Sequence, residues 1–229
     1  MTIFAYTILR SIRSIPTLIL LFGIPIVIIF LPMGETFALP IGLHYYGILL
    51  LFSASKLVHI LMEDRKKKIM TRIGVAPITH LQYLTQNLLA FALLLIAQSA
   101  IITVGGWLYH GDGVLGNAAA LFMIYGMFSI TAISFSLAWC SLFRHPESST
   151  AIMLGIVLVM ALLGGTLFPI EVMPNLLQRI AMFFPTYWLH EGMSMAAENN
   201  PLGDHLIPLG MLLLFTLAFL LIGSRRKLA

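Results

Sequence analysis

The sequence predicts an all-α, polytopic membrane protein, and three observations carry that reading. Six long apolar runs divide the 229 residues: 15–31, 40–62, 81–109, 114–143, 151–168 and 206–223. Each holds about 17 residues or more, and at a helical rise of roughly 1.5 Å per residue that is long enough to cross a hydrocarbon core of roughly 30 Å. Composition is the second observation. The chain is 59% hydrophobic and 10% charged, whereas a soluble domain carries about 25% charged residues. Third, the charges are sorted. Of the 13 Lys and Arg residues, all but Lys56 and Arg179 fall before the first run, between the second and third, between the fourth and fifth, or after the sixth. Short basic loops stay cytoplasmic, so six transmembrane helices with both termini inside are expected. The acids sort the other way, with Glu35, Asp112, Glu171, Glu191, Glu198 and Asp204 outside against Glu63, Asp64 and Glu147 inside.

The elements follow in order. Residues 1–14 place Ile3, Phe4, Ile8 and Ile12 near helical spacing beside Arg10 and Arg13, which suits a short N-terminal interfacial helix. The first run ends in Leu-Pro-Met-Gly-Glu without a small-x-small cleavage site, so it reads as a span and not as a signal peptide. Pro16 and Pro25 punctuate it, and a kink is expected at Pro25. After the second run, residues 63–80 carry a block of charges, then Ile69, Met70, Ile73, Val75 and Ile78. That mixture predicts a short amphipathic helix at the cytoplasmic surface, ended by Gly74 and Pro77. His110-Gly111-Asp112-Gly113 is a tight turn that makes the third and fourth spans neighbours. Cys140 lies inside the fourth run and reads as an inert buried thiol. A tight inner turn at 144–148 leads to the fifth run, with Ser148 or Ser149 as its expected cap. Between the fifth and sixth runs, Leu176, Leu177, Ile180, Ala181 and Phe184 recur at helical spacing until Pro185, and a second short stretch covers 187–197. Both are too short to span, so short outer surface or re-entrant helices are expected. No alternation of barrel strands is present, which leaves a helical bundle.

Composition excludes several functions. The net charge of +4 is the bias of membrane loops facing anionic headgroups, so membrane lipid is an expected partner and nucleic acid is not. No polar stretch is long enough for a separate soluble domain, and residues 1–229 read as a single transmembrane domain. His190-Glu191 begins a zinc-protease signature, but Ser194 stands where its second His belongs, and no metal site is expected. A Gly-x-Ser-x-Gly elbow, an intramembrane Asp pair and a Gly-rich phosphate loop ending in Lys-Ser/Thr are all absent from the sequence. No catalytic residue is assigned.

Polar residues inside the runs mark a candidate substrate path. Lys56 and His59 lie toward the inner end of the second span, three residues apart, with Glu63 four further on, so they share a helix face. One reading is a polar lining at a cytoplasmic mouth; the other is a lysine that snorkels to the interface. Gln98 in the third span and Ser129 in the fourth either line a cavity or join helices. Phe52, Phe91, Phe128 and Phe135 make the expected cavity lining aromatic and apolar, which favours an amphiphilic or hydrophobic compound over a sugar polymer.

Two segments resemble the permease subunits of type-2 ABC exporters. The inner loop reads Glu63-Asp64-Arg65-Lys66-Lys67-Lys68-Ile69-Met70-Thr71-Arg72-Ile73-Gly74-Val75-Ala76-Pro77. After the fifth run comes Gly164-Gly165-Thr166-Leu167-Phe168-Pro169-Ile170-Glu171-Val172-Met173-Pro174, then Phe184-Pro185 and His190-Glu191-Gly192. This is similar to the family's Gly-Gly, Phe-Pro, Pro, Pro and Glu pattern. Where the family's inner loop carries Gly-Thr, this chain has Lys67-Lys68-Ile69. The resemblance implies a cytoplasmic coupling helix, with Glu63, Asp64, Arg65, Met70, Arg72, Ile73 and Pro77 in a loop that docks a cytoplasmic ABC ATPase subunit. It implies an outer gate at Gly164, Gly165, Phe168, Pro169, Glu171, Pro174, Pro185 and Glu191. It also implies a second permease subunit, identical or different, meeting this one along spans two and five. ATP and Mg would be bound by the ATPase and no cofactor by this chain, which is then a transport subunit and not an enzyme. A bacterial plasma membrane is the expected location. A stand-alone carrier or channel remains the alternative.

Overall fold

The computed structural model describes residues 3–34, 38–66, 80–143 and 146–225. Among these residues all regular structure is helical, apart from an isolated bridge between Met33 and Pro40. The helices are α1 (Ile3–Arg13), α2 (Ile15–Ile29), α3 (Ile41–Lys66), α4 (His80–His110), α5 (Asp112–Leu115), α6 (Ala118–Leu142), α7 (Pro146–Leu163), α8 (Asn175–Ala181), α9 (Pro185–Ala197) and α10 (Leu206–Arg225).

Four of these, α3, α4, α6 and α10, are long and apolar enough to cross a membrane. A fifth candidate is the pair α1 and α2, which meet at 87°. The first and fifth apolar runs thus give shorter helices than their hydrophobicity suggests. α2 stops at Ile29 because Pro32 disfavours helical backbone in the residue before it. α7 stops at Leu163 because Gly165 turns the chain with φ of 84°. At its other end α7 begins at Pro146, a favoured first residue. Ser148 and Ser149 therefore sit inside the helix and not at its cap. The turn after the third run is also longer than expected: α4 ends at His110, α5 intervenes, and Asn117 caps α6 by accepting from the Ala120 N–H at 3.0 Å.

α6 is apolar on all sides, and such a helix belongs in the interior. It packs against α10, α3, α4 and α9, with Ile124, Tyr125, Phe128, Ala132 and Cys140 buried. Phe91, Phe128 and Phe135 are buried among these helices as core, so they do not line an open cavity. Short side chains join the helices. The Tyr46 and Tyr125 rings meet edge to face at 4.8 Å. Tyr125 Oη donates to the Leu43 carbonyl at 2.7 Å. The Ser99 hydroxyl lies 3.1 Å from Tyr46 Oη and 3.0 Å from Ser129 Oγ, which links α3, α4 and α6. Thr131 and Thr216 join α6 to α10 at 2.9 Å. In a bilayer each such bond contributes about 0.6 kcal/mol on average and up to about 1.7.

Pro25 produces a change of helical register in place of a sharp kink. Residues Ile19–Gly23 form a π turn, in which the Ile24 N–H reaches the Ile19 carbonyl five residues back. The Leu20 carbonyl would then need an N–H from residue 25, and proline has none. Gln98 Nε2, from α4, donates to that carbonyl at 3.3 Å. α2 is pressed against α3 at Gly42, where a Cβ would overlap the Ile28 carbonyl.

Candidate functional site

Three regions hold the residues singled out by sequence. The first is the charged end of the bundle. Asp64, near the end of α3, is only 3% exposed. Its carboxylate accepts both Arg10 bonds, at 2.7 and 2.8 Å, and one from Tyr83 Oη at 2.8 Å. The hydrogen bond to Asp64 raises the Arg10 pKa against the opposing effect of burial. Nearby, Thr7 Oγ1 donates to Asn87 Oδ1 at 2.7 Å, and the Phe4 N–H donates to Gln86 Oε1 at 3.3 Å. α1 is thus fastened across the start of α4 and the end of α3. Tyr6, Leu9 and Ile12 remain exposed on it. Asp64, expected to face a docking partner, is turned inward. Glu63 lies 3.8 Å from His59, one turn back. Arg65 belongs to α3. Met70, Arg72, Ile73 and Pro77 lie outside the described residues.

The second region is a lateral pocket of about 300 Å³ between α2, α3 and α7. α3 supplies Phe52, Ser55, Lys56 and His59. α7 supplies Thr150, Met153 and Leu154, and Leu20 of α2 closes the side. Ser55 Oγ donates to Met153 Sδ at 3.2 Å, and Thr150 Oγ1 meets His59 Nδ1 at 3.4 Å. His59 is therefore held from both sides, by Thr150 and Glu63. Lys56 is exposed in the pocket, and among the described residues no carboxylate is within ion-pair distance of it. A lysine at the centre of a spanning helix costs at least about 2.5–3.5 kcal/mol on insertion scales. Gln98 and Ser129 do not join Phe52, Lys56 and His59 here. Both are fully buried and bonded between helices, because each sits on a face packed against two neighbours.

The third region caps the opposite end. Gly164 lies against Thr186, whose hydroxyl donates to the Met160 carbonyl at 2.7 Å, and a Cβ at 164 would overlap that side chain. Ile170 and His190 close around Gly165. Phe168 is exposed, and Pro169 leads into a short 3-10 turn, Ile170–Val172, which contains Glu171. Pro174 immediately precedes α8 and Pro185 begins α9. His44 Nε2 of α3 reaches the Thr166 carbonyl at 2.9 Å, and its ring meets that of His190 edge to face at 5.6 Å. Glu191 is half-buried on α9; burial, then the Glu191 charge, raises the pKa of Tyr187. The sequence missed His44, whose role depends on a partner 122 residues away. It also missed Arg10 as the partner of Asp64.

No group of three or more metal-ligating side chains occurs among the described residues. What the fold and these regions define is a multi-pass helical membrane protein whose polar groups mostly join helices. The profile of the ABC-2 family transporter proteins matches residues 36–225, from just before α3 to the end of α10. The chain belongs to that family. It is also similar to the linearmycin resistance permease protein LnrN of Bacillus subtilis (strain 168), with 27% identity over 141 residues. That match covers 61% of this chain and 36% of the relative, so the chain spans little more than a third of the relative's length.

Proposed function

We propose that the chain is the membrane subunit of an ATP-driven exporter that moves amphiphilic or hydrophobic compounds out of the cell. The observation that carries this is the family match across α3 to α10. The relative's name adds support, since resistance to a toxic compound is what an exporter confers. In this reading α2 and α7 complete six spans, both termini are cytoplasmic, and residues 1–229 form one domain in a bacterial plasma membrane. α2 has 15 residues and so reaches roughly 22 Å, and the 18 residues of α7 reach roughly 27 Å. Short spans of this kind are accommodated by local thinning of the bilayer.

The loop at 63–80 docks a separate ATPase subunit, which binds ATP and Mg. A second permease subunit, identical or different, pairs along α3 and α7. In support, α7 leaves Ile152, Leu158 and Val159 exposed on one face, and Gly155 on that face has open space beside it. Closure of the ATPase pair rocks the charged ends of the spans, and the segment 164–191 is the outer gate. Met70→Asp tests the assignment. Insertion should be normal, while the ATPase no longer co-purifies and ATP-dependent efflux is lost. If docking and efflux survive a charge at Met70 and also at Ile73, the loop is not the docking element. A chain that moves solute without any ATPase, driven by an ion gradient, would be a carrier instead.

A further inference from the structure

Building on the exporter reading, we propose that the pocket between α2, α3 and α7 is a recognition site for single-chain anionic amphiphiles, with the Lys56 ammonium as its head-group contact. Three observations on the molecule converge there. Lys56 has no anionic partner among the described residues, whereas the polar and charged groups around it are engaged. His59 is held by Thr150 and Glu63, and further along α3 Asp64 is held by Arg10 and Tyr83.

The depth of Lys56 is the second observation. It lies eight residues before Asp64 on one continuous helix, so roughly 12 Å from the charged end of the bundle. The Cα–Cβ bonds of a helix tilt toward its N-terminus. On α3 that direction leads away from the charged end, so the lysine stem starts out pointing deeper into the apolar layer. Snorkelling to the near interface works against this geometry. An anion brought by a ligand satisfies the ammonium where it stands.

Shape is the third. A volume of about 300 Å³ is at the small end of ligand pockets, which span about 300–1,000 Å³. It holds a head group and the start of one chain. Phe52, Leu20 and Leu154 supply the apolar wall for that chain. The remainder of the chain extends along the exposed apolar flank of α2, at Ile15 and Ile19. A two-chain phospholipid does not fit inside. The site therefore selects carboxylates or phosphates carrying one hydrocarbon chain, taken from the membrane through the open flank.

The test uses the purified full chain in nanodiscs of zwitterionic phosphatidylcholine, with dodecanoate, dodecyl phosphate and dodecanol as probes. Binding of the two anions should be about tenfold or more tighter than that of dodecanol, and Lys56→Gln should weaken it by a similar factor while Lys56→Arg restores it. Dodecanol binding should be the same in all three proteins. Equal binding of anion and alcohol, or an unchanged anion affinity in Lys56→Gln, overturns the site. Native mass spectrometry of the wild type purified from cells supplies the second arm. A two-chain anionic phospholipid retained one-to-one and lost in Lys56→Gln overturns the proposed occupant in favour of a resident lipid. The third arm adds the ATPase partner and measures ATP-driven efflux of dodecanoate from proteoliposomes. Charge-selective binding through Lys56 without any ATP-driven flux of amphiphiles refutes the exporter reading and leaves the site standing. Flux that ignores both the charge and Lys56 refutes the site alone.

Discussion

Replacing Asp64 with Asn tests whether α1 is fastened by charge or merely rests against α3 and α4. The substitution keeps the side chain's size and an acceptor for Tyr83, but it removes the charge that Arg10 meets at 2.7 Å. Breaking a fully buried pair by removing one partner costs about 3–5 kcal/mol. Arg10, with a side chain 32% exposed, can turn to water, so the expected cost here is smaller, about 1–2 kcal/mol. For a chain of this size, 1 kcal/mol moves the melting temperature by about 2–4 °C, which predicts a fall of about 2–8 °C. Intrinsic tryptophan fluorescence in detergent reads the melt, and hydrogen exchange reads the backbone amides of α1, which should lose protection before those of α6. Arg10→Met completes a double-mutant cycle with an expected coupling of about 1–2 kcal/mol. If the two single effects add to within about 0.3–0.5 kcal/mol, the pair is not coupled and the fastening comes from Thr7, Asn87 and apolar contact instead.

Gln98→Leu should destabilise by about 0.6–1.7 kcal/mol, because it leaves the Leu20 carbonyl without a donor. In a Pro25→Ala background, where residue 25 regains an N–H, the same substitution should cost measurably less; an undiminished cost means Gln98 does not serve that carbonyl. Gly165→Ala should cost about 1–2 kcal/mol from its φ of 84° alone, with further displacement of Ile170 and His190, and should speed limited proteolysis between α7 and α9; wild-type proteolysis rates would remove that segment's dependence on the turn. Thr131→Val and Thr216→Val should each lower thermal stability, and the double variant should lose less than the two singles combined, since they share one bond. Strict additivity would show that the two hydroxyls act independently.

The long helices were legible because apolar length is a local property. Prolines and glycines marked most of their ends, and Pro185 and Gly164-Gly165 stand where α9 starts and α7 stops. The 87° bend between α1 and α2 was not foreseen, although it falls near Ser14, where amphipathic spacing gives way to continuous apolarity. Burial was harder to read. Phe91 and Phe128 have the composition of a cavity wall and the location of a core, and only packing separates the two. Gln98 looked like a lining residue, but its partner is a backbone carbonyl freed by a proline 73 positions away in sequence. Asp64 belongs by sequence to a charged surface loop, and the pairing that turns it inward comes from a helix at the other end of the sequence interval. Lys56, His59 and Phe52 were found together because one helix carries them at adjacent turns. Their facing residues on α7 were not foreseeable from that periodicity.

The π turn has a geometric consequence for the pocket. It houses one residue more per turn than an α-helix, so its two flanks are held out of α-helical phase. Were Ile19–Gly23 to relax into α-helical register, residues before it would swing by roughly 100° about the helix axis relative to those after it. Leu20 is within that turn and forms part of the pocket wall. The helix could therefore behave as a one-tooth ratchet that widens or narrows the pocket flank. Gln98 would be its pawl, because the carbonyl it holds is the one that the wound form leaves without a partner.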